Sequence, residues 1–282
     1  MISPPRTRRQ RGIAIVLAVI LLLASATAWL TCDGSAPSPN HTVRDPHLAR
    51  LGVLAYVPAG PPRALVVFFG NDIGFWRPHR ALAADLAGDG YAVAGVDVRA
   101  LFASLPARGS ERDSACARAI ADLVARSRRE LSLGDVPVVI GGHSLGAELA
   151  LWGGAHAALP HLAGILALAP GSRSHLQISA SDLLQREPRG PESFALADVM
   201  RALSSRGVAV AIVRGEHDRL GAADSALLAS GGAHARRFGI ALAGHSLRRL
   251  TLARPVVEEA LGWLLAGGTA DAGSGERRLS AP

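Results

Sequence analysis

The sequence predicts an α/β protein built on one mostly parallel sheet covered by helices on both faces. Three observations carry that expectation. Short, fully apolar runs recur along the chain, and runs without polar alternation read as strands buried on both sides. Between them lie segments with apolar residues at helical spacing, joined by short connections, and such alternation requires right-handed crossovers and a parallel sheet. At one junction Val136-Pro137-Val138-Val139-Ile140-Gly141 runs through Gly142-His143-Ser144-Leu145-Gly146 into Ala147-Glu148-Leu149-Ala150-Leu151-Trp152, which reads as strand, very tight turn and helix. The 282 residues, 49% of them apolar, suffice for one full core.

Taken in order, the chain opens with Arg6, Arg8, Arg9 and Arg11 and no acid, followed over residues 13–30 by an uncharged apolar run. Residues 1–31 therefore read as an export or anchor signal, with the positive end left in the cytoplasm. Ala26-Thr27-Ala28 offers a cleavage site, Cys32 follows a poor lipidation box, and the apolar length also suits an uncleaved anchor. The expected location is periplasmic, anchored to the inner membrane, with lipoprotein or secreted protein as alternatives. Residues 32–49, rich in Pro and Ser, read as a tether.

The globular domain is expected over residues 50–266. Residues 51–57 and 64–69 read as strands separated by Pro58-Ala59-Gly60-Pro61-Pro62. Residues 78–87 read as a helix, with Pro78 in its first turn and Leu82 and Leu86 four apart. A strand follows at 91–96. Ser110 is expected to cap a helix through residue 131, whose Ala119, Ile120, Leu123, Val124 and Ser127 share a face. Beyond the tight turn come a strand at 163–168 and a proline-rich stretch at about 170–206, read as a small lid. In it Leu176, Ile178, Leu183, Leu184 and Phe194 suit the cover of an acyl pocket. A strand at 208–213, a helix at 222–230, a strand at 235–240 and a helix at 255–265 complete the domain. Residues 267–282 read as a disordered tail.

The chemistry concentrates at the ends of strands. A serine hydroxyl is a weak nucleophile, and a sharp turn after a strand holds it away from its own backbone and beside a base. Ser144 occupies such a turn, and Gly142 and Gly146 supply the small residues that its closure requires. After the strand at 208–213 stands Arg214-Gly215-Glu216-His217-Asp218, which offers Asp218 as the acid orienting a base, with Glu216 and Asp224 as weaker candidates. On the next such loop, Ala243-Gly244-His245-Ser246 offers His245 as the base. The oxyanion formed on attack needs backbone donors already in place. Leu145 supplies one amide and the loop Gly70-Asn71-Asp72-Ile73-Gly74 the other, with Asn71 ahead of Asp72. His143 and His217 flank these positions without metal-ligand spacing, so no metal and no cofactor is expected. Cys116, among alanines in a helical stretch, reads as a buried thiol. Four of the seven net positive charges lie in the first 11 residues, and the remaining +3, with no nucleic-acid motif beside it, is too small an excess to read as a nucleic-acid surface.

The order Ser144, Asp218, His245, with the motifs Gly-His-Ser-Leu-Gly, Gly-Glu-His-Asp and Gly-His-Ser, resembles the α/β-hydrolase superfamily over residues 50–266. The resemblance implies an α/β-hydrolase fold with a small lid between its sixth and seventh strands, and a serine hydrolase cleaving carboxylic esters through an acyl-enzyme. Phe68-Phe69-Gly70-Asn71-Asp72-Ile73-Gly74-Phe75-Trp76 with Gly90-Tyr91-Ala92-Val93-Ala94-Gly95-Val96-Asp97 also resembles the exported bacterial virulence-associated VirJ/AcvB group. That second resemblance implies a periplasmic enzyme acting on aminoacylated phospholipid, where Asp72 or Glu148 would receive a cationic head group. The alternative is a catalytically silent binding or assembly factor at the membrane, and the full Ser, Asp and His set weighs against it.

Overall fold

The described residues are 36–107, 109–184, 186–246, 250 and 253–269 of the computed structural model. The signal segment of residues 1–31, Cys32 and the tail beyond residue 269 lie outside them. Among the described residues no helix is long and apolar enough to cross a membrane.

Apolar runs become strands here because a sheet covered on both sides offers water to neither face. β1 (Leu54–Tyr56), β2 (Leu65–Phe69), β3 (Ala92–Val96), β4 (Val138–His143) and β5 (Leu162–Leu168) are followed by two short strands, β6 (Arg173–Ser174) and β7 (Phe194–Ala195). β8 (Val210–Gly215) and β9 (Ala235–Ile240) end the series. Seven of them form one sheet in the order β1-β3-β2-β4-β5-β8-β9, and β6 pairs with β7 apart from it. All neighbours in the large sheet run parallel except β1, which is antiparallel to β3.

Side chains alternate along a strand, so each strand feeds two cores. Leu65, Val67 and Phe69 of β2 enter one core with α4 (Ser110–Glu130) and α5 (Leu145–His156). Val66 and Phe68 enter the other with α2 (Arg77–Gly88) and α9 (Arg254–Leu265). Every residue of α5 from Leu145 to Gly154 is buried, the carboxyl-bearing Glu148 included, so this helix is covered all round. Full burial of each large apolar side chain stabilises the fold by about 1.5–3 kcal/mol relative to exposure.

Several expectations need correction. Of the stretch read as a tether, residues 37–49 are part of the domain. Asp45 accepts hydrogen bonds from the amides of His47 and Leu48, capping α1 (Pro46–Arg50), and Leu48 is buried. Arg126 of α4 reaches Asp45 at 3.0 Å, and Glu130 accepts from the Asp45 amide at 2.9 Å. The Pro and Ser content disguised a capped helix whose apolar contact is one residue wide.

The lid is smaller than residues 170–206, and it leaves the large sheet after that sheet's fifth strand in chain order. α7 (Leu196–Ser205) buries Leu196, Val199, Met200 and Leu203 in the core shared with α4 and α5, so it is the crossover helix from β5 to β8. The insertion proper carries β6, α6 (Ala180–Leu183) and β7. Its Leu176 is buried and its Ile178 and Phe194 pack on the same core, while Leu184 is exposed. Arg112 of α4 fastens it: Nε donates to the Leu176 carbonyl at 2.6 Å, Nη2 to that of Phe102 at 3.3 Å, and Nη1 to that of Pro106.

α3 (Val98–Ala103), capped by the Asp97 carboxylate on the Arg99 amide, had no place in the sequence reading. The cap of α4 is Gly109 at φ 80°, with Ser110 as the first helical residue. β8 lies two residues beyond the expected 208–213. A 3-10 turn (Arg219–Ala223) precedes α8 (Asp224–Gly231) where one helix was expected.

Candidate active site

β4 and α5 are separated by one residue, Ser144, at φ 54° and ψ −120°. A non-glycine residue here is strained by about 1–3 kcal/mol and persists only where its surroundings dictate it. They do. A Cβ on Gly142 would overlap the Gly146 backbone, and one on Gly146 would overlap the carbonyl oxygens of Gly70 and Phe69. The Ser144 amide donates to the Leu168 carbonyl at 2.9 Å, tying the turn to β5. The serine thus stands at the carboxyl edge of the sheet, beside the loop that follows β2.

The loops after β8 and β9 arrive at the same edge, stitched to each other by backbone. The Glu216 amide donates to the Ile240 carbonyl at 3.0 Å and the His217 amide to the Ala243 carbonyl at 2.9 Å. A Cβ on Gly215 would overlap the Ala243 carbonyl. The result brings together three residues far apart in the chain: Ser144 Oγ lies 3.0 Å from His245 Nε2, and His245 Nδ1 lies 3.1 Å from Asp218 Oδ2. Both distances are within hydrogen-bond reach. The Asp218 side chain is wholly buried and that of His245 is 14% exposed.

Asp218 keeps its charge. Burial pushes its carboxyl up, but hydrogen bonds from His245, Arg214 and the Leu220 amide outweigh this and hold it well below the usual carboxylate range. The fully buried Arg214 is a residue that the motif reading passed over. Nη1 donates to Asp218 Oδ2 at 2.6 Å, Nη2 to Asp224 Oδ1 and to the Pro170 carbonyl, each at 2.6 Å, and Asp224 also accepts from Arg237 at 3.0 Å. Asp224 is therefore occupied by two arginines, and Glu216 is exposed on the turn. Neither stands as the partner of His245.

For an oxyanion, the amides of Leu145 and Asn71 flank the contact between α5 and the β2 loop. Among the described residues neither donates to a protein acceptor. The Asn71 side chain is turned to its own loop, where Oδ1 accepts from the Ile73 amide at 3.2 Å and the Asn71 carbonyl accepts from Gly74 at 2.8 Å. Asp72 is half-buried next to this site. Burial pushes its carboxyl up and the Asp182 charge adds to that, while its own amide and the charges of His245 and Arg99 pull it down. Glu148 faces the insertion instead, accepting from the Gly171 amide at 3.0 Å, and burial raises its carboxyl to about 7. Cys116 is buried in the core, its thiol pushed by burial up to about 12, which makes it inert.

Two histidines complete the surroundings. His143, singled out in the sequence only as a neighbour of the serine, is 2% exposed, and behind it lies His79 of α2, 1% exposed. His79 carried no signal, because its partner stands 64 residues away in the chain.

No family model matches the chain. No curated protein matches it either. Solved structures do. The esterase domain of a Rhodothermus marinus protein aligns over 76% of this chain and 92% of its own, at 14% identity and a TM-score of 0.54. A carboxyl esterase from Bacillus coagulans in complex with glycerol aligns over 77% and 93%, at 15% identity and a TM-score of 0.53. A soluble variant of monoglyceride lipase from Saccharomyces cerevisiae in complex with a substrate analog aligns over 78% and 92%, at 13% identity and a TM-score of 0.52. At these identities the likeness is one of architecture, and with the parallel sheet flanked by helices it shows that the chain has the α/β-hydrolase fold.

Proposed function

We propose that the chain is an exported serine hydrolase that cleaves carboxylic esters through an acyl-enzyme. The observation that carries the reading is the continuous hydrogen-bonded line from Ser144 through His245 to Asp218, on a strained serine turn. Ser144 Oγ attacks the ester carbonyl as His245 Nε2 takes its proton, and Asp218 stabilises the imidazolium that forms. The Leu145 and Asn71 amides receive the negative oxygen. His245 returns its proton to the departing alcohol. A water then attacks the acyl carbon as the same imidazole takes its proton, and the imidazolium returns that proton to Ser144 Oγ as the acid leaves. Export rests on the basic start and the apolar run of residues 1–31, which would leave the domain in the periplasm, held at the inner membrane.

A finer substrate reading follows from the segments that resemble the VirJ/AcvB group: an aminoacyl phospholipid whose ammonium meets Asp72. It is favoured by the half-buried Asp72 carboxyl, close enough to His245 and Asp182 for their charges to act on it. Glu148, turned to the Gly171 amide, is the poorer candidate.

One assay tests both readings. Wild type should hydrolyse short p-nitrophenyl esters, Ser144→Ala should lose about 10⁴- to 10⁶-fold in kcat, and Asp218→Asn about 10⁴-fold. Turnover that survives in Ser144→Ala would refute the serine mechanism. Lysyl- and alanyl-phosphatidylglycerol run alongside should be cleaved faster than plain phosphatidylglycerol; hydrolysis of simple esters alone would leave a general esterase. Alkaline phosphatase fused after Pro39 should be active in cells, and an inactive fusion would reject export.

A further inference from the structure

Behind the serine turn lies a line of hydrogen bonds whose direction is set by its ends. At one end the Trp76 amide, which can only donate, stands 3.3 Å from His79 Nδ1. His79 Nε2 stands 3.1 Å from His143 Nδ1. At the other end His143 Nε2 stands 3.0 Å from the backbone carbonyl of His245, which can only accept. One assignment of protons satisfies every link: both rings neutral, each carrying its proton on Nε2. The carbonyl end alone dictates this, since the opposite tautomer of His143 would set a lone pair against a carbonyl oxygen. The Gly74 carbonyl also lies near His79 and is the acceptor that the reverse order would use.

We propose that His79 and His143 act as a positioning pair that fixes the backbone of the base, His245, against the serine turn; the proposal rests on the triad reading above. The reason is geometric. His245 must hold Ser144 Oγ at 3.0 Å and Asp218 Oδ2 at 3.1 Å at once, and a misplacement of about 1 Å can cost on the order of 10²-fold in rate. His143 is the residue before Ser144, so its hydrogen bond ties the base's main chain directly to the nucleophile's.

The surroundings suit the task. Ring contacts run from Phe75 and Trp76 to His79, from His79 to His143 at 5.3 Å between centroids, and from His143 to His245 at 6.1 Å. Both buried rings stay neutral, which the line requires, because an imidazolium donates from both nitrogens and would break a link. Burial lowers His143 to about 4 and His79 well below its ordinary value.

The test uses the full chain with ¹⁵N-labelled histidine, in four variants. His143→Leu and His79→Leu remove a link, whereas His143→Gln and His79→Gln place an amide donor where Nε2–H stood. Imidazole nitrogen shifts should show both wild-type rings as Nε2–H, and His143 should keep that tautomer in His79→Leu, where the His245 carbonyl still faces its Nε2. Each Leu variant should lower kcat for a p-nitrophenyl ester about 10- to 100-fold with KM within about 2-fold, and each Gln variant should restore most of the loss. Folded Leu variants with wild-type kcat, or a wild-type His143 carrying its proton on Nδ1, would overturn the proposal. Should the Leu variants fail to fold, the wild-type tautomers and the Gln variants decide it by the same criteria. Failure of the triad reading looks different: a wild type that neither cleaves ester nor reacts at Ser144.

Discussion

Glu148 shows how one side chain sets a pH dependence for the whole domain. Burial is the main cause of its rise to about 7 from an ordinary 4.5. A folded-state value above the unfolded one means that its stabilising contribution is fully present below about 4.5 and is lost as pH rises through about 7. The difference corresponds to about 3 kcal/mol between those limits. The buried histidines act with the opposite sign: held neutral, they weaken the fold as pH falls below 6.5. Glu148→Gln leaves them in place. Urea unfolding at pH 5 and pH 8 should therefore show the variant gaining up to about 3 kcal/mol on wild type at the higher pH. Parallel behaviour at the two pH values would mean that Glu148 titrates as an ordinary surface acid. At this scale the meeting of Ser144, His245 and Asp218 within hydrogen-bond reach was legible, because strand-end motifs put all three at one edge. His79 was not, since its partner lies 64 residues away in the chain, and Arg214, though only four residues from Asp218, belongs to no motif that names a role for it.

Among the elements, the serine turn is the most constrained. Gly146 has the carbonyl oxygens of Phe69 and Gly70 against it, whereas a Cβ on Gly262 of α9 would meet nothing within 4 Å. Gly146→Ala should destabilise by about 3 kcal/mol and lower Tm by roughly 6–12 °C. Gly262→Ala should stabilise by about 0.5–1 kcal/mol and raise Tm by roughly 1–4 °C. Thermal melts of the two variants check this, and equal shifts would show that the close approach at Gly146 is relieved by small movements. Elements were read best where one period ran without interruption: residues 65–69, 92–96 and 235–240 became strands as expected. They were misread where a cap or a core face hid in turn-like composition. α1 starts at an Asp-Pro pair in a Pro/Ser-rich stretch, and α7 ends a segment whose prolines made it look like lid.

Across the whole molecule, the fold works by delivering loops from four strands to one edge. β2 brings Asn71, β4 brings Ser144, β8 brings Asp218 and β9 brings His245, and strand order makes β4 and β8 neighbours of the same strand, β5. Chain order alone suggested that edge, because parallel strands joined by crossovers all end on the same side. The extent of the insertion was not legible, because Arg112 and α7 hold it down through contacts distant in the chain. The most direct test of the account is a covalent one. Wild type, Ser144→Ala and His245→Ala are treated with a fluorophosphonate, and the adduct is located by peptide mass spectrometry. The account predicts one adduct, on Ser144, absent from Ser144→Ala and strongly slowed in His245→Ala; no adduct on wild type, or an adduct elsewhere that survives Ser144→Ala, would contradict it.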